Sequence, residues 1–155
     1  MTIVKSRSGV TEDLNIGLLL FIPYRALENR VFAAVAAAGH NDITPAQAKL
    51  LQRVNDDGSR LSELAEAAQV TKQTAGYLVD QLQNAGYVER TPDPTDARAR
   101  LVRLTDRARS LRPIGDGAIA EIEAEWTAHL GKRRMDQLCD TLARLREITD
   151  PYMER

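Results

Sequence analysis

The chain has 155 residues, 43% hydrophobic and 5% aromatic, which suits one domain or a compact two-lobed unit able to bury a core. Lys and Arg number 21 against 22 Asp and Glu, so the net charge of -1 gives no overall pull toward a polyanion; any such pull has to come from local clustering. No run approaches the roughly 18 apolar residues of a membrane helix, and MTIVKSRSGVTEDLN lacks the basic–apolar–small order of a secretory signal, so no membrane partner and a cytoplasmic location are expected.

Residues 1–11 read as a loose arm. From about Asp13 to Ala38, Leu14, Leu18, Phe21, Leu27, Val31 and Val35 recur at helical spacing, with Pro23 as a kink and Gly39 as a left-handed cap. This helix is apolar over more than one face, so part of it should be covered from outside its own lobe. Thr44-Pro45-Ala46-Gln47 is a helix start with a capping box, and Asp56-Asp57-Gly58 closes that helix. A short helix from Ser62 to about Ala68 follows, then a turn at Gln69-Val70-Thr71. The next helix runs from Lys72 to Ala85 and stops at Gly86.

Tyr87 to Arg90 reads as a short strand, Thr91 to Asp96 as a turn, and Arg100 to Leu104 as a second strand of period two. Thr105-Asp106 then opens a helix to about Leu130, bent near Pro113. A last helix from about Lys132 to Thr149 carries Met135, Leu138, Leu142, Leu145 and Ile148 as a stripe that needs a partner. The expected fold is mainly α with a small β-hairpin wing. The expected parts are an N-terminal arm and helix over 1–40, a winged helix-turn-helix lobe over 41–110, and C-terminal helices over 111–155.

Two short helices joined by a turn and followed by a charged hairpin can place a rod in a major groove and an arm beside it. The outward residues of the rod are read as Lys72, Gln73, Thr74, Gly76 and Tyr77, with Thr71 at its start. The hairpin tip carries Arg98 and Arg100 among small residues, a shape suited to a narrow minor groove. Asp96 is placed to hold the loop or the Arg98 guanidinium. Between Thr71 and Arg112 stand eight basic residues (Lys72, Arg90, Arg98, Arg100, Arg103, Arg107, Arg109, Arg112) against five acidic ones. From Pro113 to Gly131 the charged residues are all acidic: Asp116, Glu121, Glu123 and Glu125.

LSELAEAAQVTKQTAGYLVDQLQNAGYVER followed by DPTDARARLVRLT resembles the helix-turn-helix and wing of the MarR family of bacterial transcription regulators, and the helices on either side fit in number and order. The resemblance implies a homodimer interlocked through its terminal helices and bound to double-stranded DNA at a pseudo-palindromic operator. It implies repression relieved by a small, aromatic or phenolic ligand between the dimerisation helices and the winged lobe. Arg98 matches the wing arginine of the minor groove and Asp96 the acid that orients the wing. Gln73 and Thr74 fall where the family often has Ser or Thr. Tyr77 stands where Arg is frequent, Gly76 where a hydroxyl residue is frequent, and Ala108 where Gly often follows the L-T pair.

Tyr24 and Arg25 on the first helix, with His40 beyond its end, are polar groups near where the resemblance places the family's ligand pocket. His40 and His129, the two histidines, have no metal-ligand spacing with the single Cys139, so no metal or cofactor is expected. Cys139 rules out an intrachain disulfide and reads as a buried small hydrophobe in the last helix. No phosphate loop, activated nucleophile or paired carboxylates appear, which argues against an enzyme. A rival reading is a dimeric module that binds a small molecule or a protein and has kept the winged fold without reading sequence. Gly76 and Tyr77 keep that rival open.

Overall fold

Asn15 opens the first helix by accepting a bond from the Leu18 amide at 3.0 Å. The computed structural model describes residues 14–150; the arm expected over residues 1–11 lies outside them. Helix α1 spans Ile16–Ala37 and carries Pro23 inside it. At its end the Gly39 amide donates to the Ala36 carbonyl at 3.0 Å and the His40 amide to Val35 at 3.2 Å. That closure needs a left-handed residue, and Gly39 has φ 98°.

Helix α2, Pro45–Leu51, has the capping box expected of Thr44 and Gln47. Helix α3, Leu61–Ala67, and helix α4, Lys72–Asn84, make the helix-turn-helix. Their turn repeats the α1 closure with a non-glycine residue: Gln69 has φ 56°, and the Val70 amide donates to Ala65 at 3.0 Å. The Gln69 side-chain amide also bonds the Glu66 carbonyl at 2.9 Å, which helps a residue with a Cβ hold this conformation. Helix α4 closes the same way at Gly86, φ 80°, and the chain then enters the hairpin at once.

The hairpin is longer than the sequence suggests. Strand β1 is Val88–Asp93 and strand β2 is Asp96–Leu104, paired antiparallel from Val88↔Leu104 to Pro92↔Arg100. Pro92 can lie in β1 because its missing N–H falls on the outer edge of a two-stranded sheet. The turn therefore shrinks from six residues to Pro94-Thr95. Ser59 adds a one-residue bridge to the other edge of β2, exchanging bonds with Val102 at 3.0 and 2.8 Å.

The long helix expected after Thr105 is broken. Helix α5 covers Asp106–Arg109 and helix α6 Leu111–Leu130. The break falls before Pro113 rather than at it, because a proline ring collides with the carbonyl four residues earlier, here Arg109. Gly131, φ 83°, leads into helix α7, Lys132–Thr149.

The chain divides into two compact units, Met1–Asp116 and Gly117–Arg155. In the first, Leu50, Leu64, Ala75, Val79, Leu82 and Tyr87 are fully buried, with Val88 and Val102 of the hairpin beside them. Phe32, Leu111 and Ile114 pack on that cluster, so α1 and the start of α6 share the core of the winged lobe. In the second unit α7 buries no residue, and Leu138, Leu142, Leu145 and Ile148 are exposed. Cys139 is exposed there too, contrary to its reading as buried, because the whole stripe that should cover it is open. Helix α1 likewise exposes Ile16, Leu18, Leu19, Leu20, Phe21 and Ile22. Among the described residues no helix is long and apolar enough to cross a membrane.

Candidate nucleic-acid interface

Thr71 caps α4 by accepting from the Thr74 amide at 3.1 Å, and its own hydroxyl donates to Thr74 Oγ1 at 2.9 Å. The buried side of α4 is Ala75, Leu78, Val79 and Leu82. With that side fixed, Thr71, Lys72, Gln73, Thr74 and Tyr77 are all exposed, as the helical period requires. Gly76, read from the sequence as outward, is half-buried. A Cβ there would lie 3.6 Å from Leu61 Cδ2, so the residue faces α3. Tyr77 is 63% exposed.

The wing tip owes its shape to Asp93, a residue the sequence reading passed over. Asp93 Oδ1 accepts from the Thr95 amide at 2.8 Å and from the Thr95 hydroxyl at 2.7 Å. Its Oδ2 accepts from Arg60 Nε at 2.9 Å and Nη2 at 2.7 Å. The carboxylate is 6% exposed. It ties the tip of the hairpin to the start of α3. The Thr95 bonds first, then Arg60, hold its pKa down to about 2.

That shift carries an acid-stability prediction. In the unfolded chain Asp93 takes up its proton near 3.8; in the folded chain it does so only near 2. Its stabilisation is therefore complete above the first value and is lost as pH falls through the second. Urea midpoints measured from pH 5 down to pH 2 should fall more steeply for the native protein than for Asp93→Asn. Parallel curves would show that Asp93 is not held as described.

Asp96 holds the loop and not the guanidinium: its Oδ1 accepts from the Arg98 amide at 3.0 Å. The ladder register slips between Pro92↔Arg100 and Asp93↔Asp96, leaving Ala97, Arg98 and Ala99 as a bulge on β2. A bulge re-aims the side chain it carries. Arg98 is exposed, and among the described residues no group pairs with its guanidinium. Arg100 is exposed and donates to the Arg90 carbonyl at 3.1 Å.

Several of the eight basic residues are engaged inside the lobe. Arg90 pairs with Asp80 at 2.7 Å and also bonds Gln83. Arg103 donates to Thr91 at 3.1 Å. Arg107 pairs with Asp42 at 3.0 Å, donates to the Ala85 carbonyl and stacks over Tyr87 at 4.3 Å. Lys72, Arg98 and Arg100 are the exposed cations that stand on the rod and the wing, and none of them has an ion-pair partner among the described residues.

Tyr87 anchors the base of the hairpin. Its hydroxyl donates to Asp42 Oδ1 at 2.8 Å and lies 2.9 Å from His40 Nδ1. Burial, reinforced by the Asp42 carboxylate, pushes its pKa up to about 12. The Tyr87 bond, then Arg107, lowers that of Asp42. His40 thus stands at the end of α1, tied to the hairpin. Tyr24 and Arg25 lie on the exposed part of α1, with Arg25 5.6 Å from the Phe21 ring centre. At 1.5 Å per residue they are roughly 20 Å from His40 along the helix, so one chain does not bring these three together. Among the described residues no cluster of His, Cys, Asp or Glu could hold a metal ion.

Residues 41–99, from the turn before α2 to the wing bulge, match the model of the MarR family. An HTH-type transcriptional repressor of Mycobacterium tuberculosis is 28% identical over 123 residues, 79% of this chain and 86% of its own length. Transcriptional regulator HosA of Escherichia coli is 34% identical over 85 residues, 52% of this chain and 63% of that protein. The crystal structure of transcriptional regulator Tm0710 from Thermotoga maritima is 27% identical, with a TM-score of 0.64 over 85% of this chain and 92% of that one. A helix-turn-helix closed by Schellman turns, a bulged wing and these likenesses agree: residues 41–99 form a winged helix-turn-helix of the MarR family, and the chain around them is similar to winged-helix transcription regulators.

Proposed function

We propose that the protein is a homodimeric repressor that grips a pseudo-palindromic DNA operator, with α4 in the major groove and the Arg98 wing in the adjacent minor groove. The observation that carries this reading is the pairing of two exposed features in one lobe. The outer face of α4 offers Lys72, Gln73, Thr74 and Tyr77. The bulged wing offers Arg98, and neither it nor Lys72 has a charge partner among the described residues. Bases are read by short polar side chains on the rod, and the wing supplies positive charge where the groove is narrow. The named activity of the mycobacterial relative supports repression as the output.

The exposed apolar faces of α1 and α7 support the dimer. A second copy would remove them from water and set two recognition helices about one DNA turn, roughly 34 Å, apart. Tyr24, Arg25 and His40 are proposed as residues answering to a small aromatic or phenolic effector that releases the DNA. His40 is the one among them bonded to the base of the hairpin, which gives an effector near it a mechanical route to the wing.

The test is binding of the full-length protein to its own upstream DNA and to a scrambled duplex, followed by fluorescence anisotropy across salt concentrations. Affinity should fall steeply with salt on both, with a preference for its own DNA of about 10^3-fold or more. Equal affinity for the two duplexes would instead support the module that has kept the fold without reading sequence.

A further inference from the structure

Behind the exposed face of α4 runs a chain of hydrogen bonds with a fixed direction. It starts at a group whose role is not adjustable: the Thr44 backbone N–H, which can only donate. It donates to Gln47 Oε1 at 2.9 Å as half of the α2 capping box. With that oxygen taken, the Gln47 amide nitrogen faces the other way and donates to Gln81 Oε1 at 2.9 Å. Gln81 in turn presents its amide nitrogen to Tyr77 and donates to the hydroxyl oxygen at 2.9 Å. Gln47 is 6% exposed, so water does not compete freely for its amide. Each primary amide has a donor end and an acceptor end, so the first link sets every later one.

The consequence falls on Tyr77. A phenol has one proton and lone pairs to accept with. Its inward partner is a donor, so its own proton is directed away from the protein. Tyr77 sits one helical turn beyond Lys72, Gln73 and Thr74 on the same exposed side. In the major groove the acceptors are guanine N7 and O6, adenine N7 and thymine O4, whereas cytosine offers an amino donor.

We propose that Tyr77 is a specificity-determining residue, oriented by the Thr44–Gln47–Gln81 chain as a hydroxyl donor that reads an acceptor on a base edge and prefers it to the amino group of cytosine. This rests on the DNA-binding reading above. It goes further by assigning a chemical rule to one position of each half-site. Gln47 and Gln81 touch no DNA in this account; they are positioning residues.

The test uses the full-length protein, its upstream DNA, and a set of duplexes altered one base at a time, including 7-deazapurines. Anisotropy titrations should show one position per half-site where cytosine or loss of the acceptor costs the native protein roughly three- to ten-fold, the range of one neutral hydrogen bond. Tyr77→Phe keeps the ring and should bind the intact operator weaker by the same factor, with its base profile flat at that position alone. Gln47→Glu provides the sharper arm. Glutamate still accepts from Thr44 N–H, as capping boxes usually do, but its second oxygen also accepts. Gln81 must then turn its nitrogen inward and its oxygen toward Tyr77, which draws the phenol proton inward. Gln47→Glu should flatten the same position with the phenol still present, in protein whose circular dichroism shows the native helical signal.

If Tyr77→Phe keeps the native base profile, or weakens operator and scrambled duplex equally as a phosphate contact would, the proposal is overturned. A base profile for Gln47→Glu identical to the native one would overturn the oriented chain. A native protein with no preference for its own DNA would bring down the DNA reading itself, an outcome visible in the unmutated arm alone.

Discussion

Replacing Leu142 and Leu145 by glutamate is expected to dissociate the proposed dimer and to lower operator affinity on the order of a hundred-fold or more. The two leucines are 41% and 40% exposed in the single chain, on a helix that buries nothing. Fully burying a leucine is worth about 1.5–3 kcal/mol, and a symmetric interface counts each residue twice. A carboxylate in the same place adds the penalty of an unpaired charge taken out of water. Glutamate is a good helix former, so α7 itself should persist. Sedimentation would report monomers, while circular dichroism would keep its helical signal. The loss of DNA affinity follows from losing the second half-site, since the linked partner lobe no longer binds at a high effective concentration. A double variant that sediments as a dimer at micromolar concentration would contradict the assignment of α7 to the interface.

Arg98→Ala should weaken operator binding by about 1–3 kcal/mol, roughly five- to 150-fold. The wing should keep its shape, because Asp96 bonds the backbone amide of Arg98 and Asp93 holds the tip through Thr95. The loss is therefore assigned to the guanidinium. Its planar fork is more weakly hydrated than an ammonium, so Arg98→Lys should recover only part of the affinity. The dependence of affinity on salt should also become shallower, as one cation fewer displaces counterions. Unchanged titration curves for Arg98→Ala would remove the wing from the interface.

Much of the local architecture is legible in short-range chemistry. The Thr44–Gln47 capping box, the glycine closures at Gly39 and Gly86, and the apolar side of α4 depend on residues within one or two helical turns. Such signals survive without knowledge of the rest of the chain. The exposed stripe of α7 is legible for the same reason, since its period belongs to one helix.

The parts that were not legible involve partners far apart in sequence. Arg60 meets Asp93 across 33 residues, Tyr87 meets Asp42 across 45, and Gln47 meets Gln81 across 34. Nothing in the identity of Asp93 distinguishes it from Asp96 until Arg60 is brought beside it. Pro92 reads as a turn residue until its edge position in the sheet makes the missing N–H harmless. Arg90 and Arg107 count as free positive charge until Asp80 and Asp42 are found next to them.

The linear order of residues determined most helix starts and stops, though not the break at Ser110, and which faces are apolar, because caps and periodicity act over a few bonds. Only tertiary packing decided which cations stay free, how the wing bulge aims Arg98, and which way the Tyr77 proton points. Those properties belong to pairs of groups that the fold, and not the chain, makes neighbours.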